Sequence, residues 1–223
     1  MTVIPDKHTF TIWQGATFFE VLTLYETNDK TQPRDFYTET KISNLTVTTT
    51  NGSAIATLNS TSGLVAGKKY YISSTTIPSS SYVYFTAPES GNTITLSSGS
   101  AVTAGTSTAS VITLRTLNYG AEMIIRDKAQ GTPLLTLSTN ATGATVNNIS
   151  PTSSGCSIVL PDNPANAGQI RLIISDTVTA TLGTSSTWKT GVYDFTITEL
   201  VDPVTSGRVT DALLYGGIKV NGV

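Results

Sequence analysis

The sequence predicts an all-β protein, a β-sandwich interrupted by a small inserted β-module. Three observations predict it. Apolar residues alternate with period two over most of the chain, turn formers punctuate the runs, and no strong amphipathic helix pattern occurs. Phe10 and Ile12 share a face with His8, which flanks the first strand. Phe18, Leu22 and Leu24 share a face with Glu20, while Phe19, Val21 and Tyr25 point the other way. Met123 and Ile125 alternate with Glu122, Ile124 and Arg126, and Tyr193, Phe195 and Ile197 with Val192, Asp194 and Thr196. Ala212, Leu214, Gly216, Ile218 and Val220 alternate with Leu213, Tyr215, Gly217 and Lys219. Gln14-Gly15, Asn28-Asp29, Gln130-Gly131, Asp162-Asn163-Pro164, Thr190-Gly191 and Gly216-Gly217 read as turns. The short helical candidate is Asp176–Leu182, with Asp176 as N-cap and Gly183 as stop, weakened by its Thr and Val content.

Composition divides the chain. Its 223 residues allow one large domain or two small ones. Charged residues are 13%, against about 25% in an average globular chain, and Ser, Thr, Asn and Gly take their place. From Ser43 to Ile112 the charged residues are Lys68, Lys69 and Glu89. That stretch is dense in Ser and Thr, yet it carries short β-prone runs separated by glycines. The runs are Ala54–Leu58, Tyr70–Ile72, Tyr82–Phe85, Thr93–Leu96 and Ser110–Ile112. The flanks supply about two strands and about five, and seven suit a small sandwich. Residues 1–42 and 113–223 are therefore expected to form one discontinuous sandwich domain, with 43–112 as a Ser/Thr-rich insert. The alternative is two sequential domains with a boundary near Thr116.

Thirteen Lys and Arg against fifteen Asp and Glu give a formal charge of −2. That balance offers neither the basic stripe of a nucleic-acid binder nor a polybasic membrane anchor. No apolar run approaches the ~20 residues of a membrane helix, and Met1–Lys7 lacks the apolar core of a signal peptide. The single cysteine, Cys156, cannot form an internal disulfide, and the single histidine, His8, excludes a site needing two imidazoles. Nucleophile-elbow, zinc-protease and phosphate-loop motifs are absent from the sequence. Asp127 and Asp194 read as surface charge or turn caps rather than a catalytic pair. Glu26, Asp29 and Asp35 lack calcium-loop spacing. Cys156 shares a face with Ile158 and Leu160, which predicts a buried, inert thiol. Asn44, Asn59, Asn140 and Asn148 match glycosylation acceptors by chance in so polar a chain. No catalytic residue, cofactor or metal site is expected. The aromatic residues of the insert are the candidate contacts. Parity puts Tyr82 and Tyr84 on one face and Phe85 on the other. Tyr82, Tyr84, Tyr70 and Tyr71 would then meet a partner protein, stack on a glycan, or pack into the core.

Four blocks carry a family resemblance. They are Phe10–Phe18 with Leu22–Tyr25, Ala121–Lys128 with Gly131–Leu137, Trp188–Ile197, and Leu213–Val220. In their shared order they resemble virion proteins of tailed bacteriophages. The resemblance implies an immunoglobulin-like β-sandwich in a tail or baseplate component. The insert interrupts the pattern between Tyr37 and Tyr119 and is loosely similar to small β-barrel modules of phage fibres. What the resemblance implies is a non-enzymatic structural protein, made in the host cytoplasm and located in the virion. It would pack against other virion proteins and copies of itself, and low charge lowers the cost of burying such surface. The alternatives are a capsid decoration protein with an outward-facing insert, or a carbohydrate-binding adhesion module that meets a host-surface glycan.

Overall fold

A computed structural model describes residues 6–25, 32–99, 102–143, 145, 149–182, 190–200 and 210–221. Met1–Pro5, Glu26, Asn28-Asp29, Gly183, Trp188-Lys189, Asn148 and the side chains of Ala212 and Leu213 lie outside that description. In chain order the strands are β1 (Asp6–Trp13), β2 (Phe18–Thr23), β3 (Tyr37–Thr49), β4 (Ile55–Leu58), β5 (Lys69–Ser73), β6 (Tyr84–Thr86) and β7 (Thr93–Thr95). They continue with β8 (Gly105–Leu117), β9 (Tyr119–Arg126), β10 (Pro133–Ser138), β11 (Cys156–Val159), β12 (Gln169–Ile174), β13 (Thr190–Glu199) and β14 (Thr210–Asn221). The chain divides into two compact units, Met1–Phe36 with Leu117–Pro161 and Asn166–Val223, and Tyr37–Thr116 with Asp162–Ala165. The compositional borders at 42/43 and 112/113 fall inside β3 and β8, because both strands continue past the Ser/Thr-rich stretch into residues such as Glu39 and Arg115.

The first unit is a sandwich of two sheets, ordered β1-β14-β13-β9-β10 and β11-β12-β2. Strand β1 pairs with β14 in parallel, and the other ladders are antiparallel. Alternation decides which side chains enter. From the larger sheet come Phe10, Ile12, Met123, Ile125, Tyr193, Phe195, Ile197 and Ile218, all buried. The smaller sheet supplies Phe18, Ile158, Ile170, Leu172 and Ile174. The Phe10 ring lies 5.8 Å from Phe18 and 5.0 Å from Tyr193, so one interior serves both sheets. His8 continues the face of Phe10 and Ile12 but is exposed, with its ring edge-on to Phe10 at 4.7 Å.

Three local expectations are corrected. Gly216-Gly217 is not a turn but lies inside β14, paired with β1 on one side and β13 on the other, and Thr190-Gly191 opens β13, paired with Lys219 and Ile218 of β14. A Cβ on Gly216 would lie 1.7 Å from the His8 carbonyl oxygen, so the residue is a close-approach point within a strand. The helical segment is a single turn, α1 (Asp176–Thr179), and its N-cap is Ser175 rather than Asp176, with Val178 N–H donating to the Ser175 side chain. Finally, the described residues of this unit contain eight strands rather than seven.

The second unit is one six-stranded sheet, ordered β6-β5-β8-β3-β4-β7. It has its own core of Leu45, Val47, Leu58, Tyr70, Ile72, Ile77, Val83, Phe85, Ile94, Leu96 and Ile112. Glu39 meets Arg115 near one end of the β3–β8 pair and Thr48 meets Thr106 near the other, so the two strands run antiparallel. Barrel closure, expected for the insert, is not formed among the described residues. The end strands approach at one point, where Ser97 N–H donates to the Tyr84 carbonyl at 2.7 Å and Tyr84 N–H to Ser97 Oγ at 3.0 Å.

Candidate functional site

The four candidate tyrosines separate into distinct surroundings. Tyr70 points inward from β5 and is 1% exposed. Its ring stacks on Phe85 at 5.9 Å and its hydroxyl accepts from Val65 N–H at 2.8 Å. It is a core residue, so the expectation that it contacts a partner or glycan is withdrawn. Parity explains this, since Tyr70 and Ile72 face the interior while Tyr71 faces out. Tyr82 and Tyr84 are exposed and flank buried Val83.

Tyr84 belongs to a polar cluster. Its ring meets Tyr71 edge-on at 5.9 Å, and Lys69 Nζ lies 4.0 Å from the Tyr84 ring centre and 5.2 Å from that of Tyr71. Lys69 also donates to Asp162 Oδ2 at 2.7 Å, and the Tyr71 hydroxyl donates to Asp162 Oδ1 at 3.3 Å. Burial opposes the Lys69 charge, but its hydrogen bond to Asp162 and the nearby Tyr71 leave its pKa above the ordinary lysine value. The Tyr71 phenol is also raised, first by burial and then by the Asp162 carboxylate. The ion pair is half exposed, so its contribution to stability stays at or below about 1 kcal/mol.

Tyr82 faces a different feature, a shallow cleft of about 220 Å³ lined by Glu39, Tyr71, Ser79, Tyr82, Arg115 and Pro164 among others. The Arg115 guanidinium is almost fully buried and bonds the Glu39 carboxylate, and it also lies 5.2 Å from the Tyr37 ring centre. Tyr82 closes a 3₁₀ turn (Ser79–Ser81) in the left-handed conformation, φ 47° and ψ 40°. Sequence reasoning missed Glu39, Arg115 and Asp162 here. Lys69 carried a signal as one of three charges in a charge-poor stretch. Arg115 and Asp162 carried none, because register and a distant loop bring them in.

Cys156 is buried, and burial pushes its thiol up to about 11. Asp194 accepts from Arg126 at 2.8 Å across neighbouring strands. Among the described residues no group of three or more His, Cys, Asp or Glu could hold a metal ion. Comparison with protein-family models, with curated proteins and with solved structures found no match.

A second surface lies on the outer face of the sandwich's smaller sheet. Phe19 and Val21 point outward from β2, exposed by 56% and 41%, and Val159 from β11 is exposed by 40%. Register aligns Phe19 with Ile173, and Val21 with Arg171 and then Val159. These residues form an apolar strip with one cation, on a sheet where β2 is an end strand. Exposed apolar side chains aligned on one face mark an interaction surface more often than scattered ones do.

Proposed function

We propose that this chain is a non-enzymatic structural protein of a tailed-bacteriophage virion, a tail or baseplate component that works by packing against neighbouring subunits. The observation that carries the packing role is the outer strip of Phe19, Ile173, Val21 and Val159 beside the end strand β2. Each of these side chains is already about half covered, so completing its burial favours association by roughly 0.7–1.5 kcal/mol. A stable interface needs about 1,200–2,000 Å² in total, so the strip is its apolar centre and polar surface forms the rim. The non-enzymatic part of the reading is supported by the pairing of Asp194 with Arg126 and of Asp162 with Lys69, and by the burial of Cys156. The phage assignment rests on the resemblance of the four sequence blocks. Protein analysis of purified particles, from the phage whose genome encodes the chain, tests the reading. The chain is expected in stoichiometric amount, and its absence from particles overturns the assignment.

A further inference from the structure

We propose that the Tyr82 cleft of the second unit is a binding site for a single neutral pyranose ring. The proposal goes beyond the packing role and uses a different surface. The cleft, at about 220 Å³, is smaller than the roughly 300–1,000 Å³ typical of pockets for drug-sized ligands, so its occupant is one ring rather than an extended molecule. Its lining mixes two kinds of group. Tyr82 and Tyr71 supply aromatic surface, while Glu39, Ser73, Ser79 and Thr113 supply oxygen atoms. A pyranose presents one face of C–H bonds and a perimeter of hydroxyls, which suits a lining that offers both aromatic surface and oxygen atoms. The formal charges at the site are matched: Arg115 neutralises Glu39, and Lys69 neutralises Asp162. A neutral ligand therefore meets no uncompensated charge.

The backbone of Tyr82 is held in place. Tyr82 is a non-glycine residue in the left-handed region, a strained conformation that the surrounding structure must offset. The 3₁₀ turn supports it, with Tyr82 N–H donating to the Ser79 carbonyl at 3.2 Å. Glu39 is held as well. The buried Arg115 guanidinium fixes Glu39, whose side chain keeps 37% of its surface exposed. A fixed carboxylate can accept from two adjacent sugar hydroxyls with little ordering cost. Tyr84 points away to Lys69 and Tyr71 and does not line the cleft. The exposed tyrosine pair is therefore divided in function.

The experiment is an amide NMR titration of the full chain with methyl glycosides of glucose, galactose, mannose and N-acetylglucosamine, with phenol as an apolar ring control. At least one glycoside is expected to give saturable shifts centred on Glu39, Tyr71, Ser79, Tyr82 and Thr113. Tyr82→Gly should weaken that binding about tenfold without lowering Tm, since glycine adopts this conformation freely. Tyr82→Asn replaces it if Tm does fall. Tyr84→Ala should leave the affinity unchanged. The proposal is overturned if no glycoside saturates, if phenol alone binds, if the shifts centre elsewhere, or if the Tyr82 variant binds like the parent.

Discussion

Tyr193 donates its phenolic proton to the His8 carbonyl oxygen at 3.1 Å, spanning Gly216, which is paired with both residues in the sheet. The buried phenol on β13 is thereby tied to the first strand through the strand between them. Gly216 makes this approach possible, because a side chain there would strike the His8 backbone.

Gly216→Ala should therefore destabilise the sandwich by about 1–3 kcal/mol, the range for forced overpacking. Gly217→Ala is the control, since a Cβ there meets nothing closer than 3.9 Å and its φ is not positive. It should be neutral or slightly stabilising. Denaturant unfolding of the two variants distinguishes them, and equal losses would contradict the assignment of Gly216 as the close-approach point.

Tyr193→Phe removes the donor and keeps the ring against Phe10. A loss of about 0.5–1.5 kcal/mol is expected. Amide exchange should rise along β1 more than along β9 or β10. Uniform exchange across the sheet would show that the hydrogen bond does not anchor the first strand.

The Lys69–Tyr71–Asp162 cluster predicts an alkaline effect. Both Lys69 and Tyr71 have folded pKa values raised above their ordinary 10.5 and 10.0. A raised folded value contributes stability that is fully present below the unfolded value and is lost as pH rises through the folded one. Stability contributed by these groups is thus intact below pH 10.0 and falls above it. Asp162→Asn should lower stability at pH 8 slightly and make the alkaline fall shallower. Parallel Tm–pH profiles for parent and variant would refute the coupling.

Cys156 extends the same logic to a thiol. Burial raises its pKa from 9.0 to about 11, so the stability tied to keeping it neutral is present below pH 9.0 and lost as pH approaches and passes 11. Native protein at pH 8 should resist an aromatic disulfide reagent that labels the denatured chain at once. Rapid stoichiometric labelling of the folded chain would contradict the buried placement.

Local alternation made much of the sandwich legible. Tyr193, Phe195 and Ile197 enter the interior and Asp194 stays out, as parity alone requires. The same rule separates exposed Tyr82 and Tyr84 from buried Val83 and Phe85, and it would have sent Tyr70 inward had Ile72 been read as its partner. Long-range register was not legible. Nothing local pairs the first strand with the last, and that pairing is why Gly216-Gly217 resembles a turn yet lies within a strand. The cleft was hidden for the same reason, since Glu39, Tyr82, Arg115 and Pro164 meet through nonlocal placement. Composition marked a charge-poor segment, but strands β3 and β8 run through its borders, so chemistry and structure change at different residues.

The packing role is tested most directly by a density map of the intact particle. The account predicts that the chain is present with Phe19, Val21 and Val159 covered by a neighbouring subunit. A map that contains the chain with that face open to solvent, or that lacks the chain altogether, would contradict it.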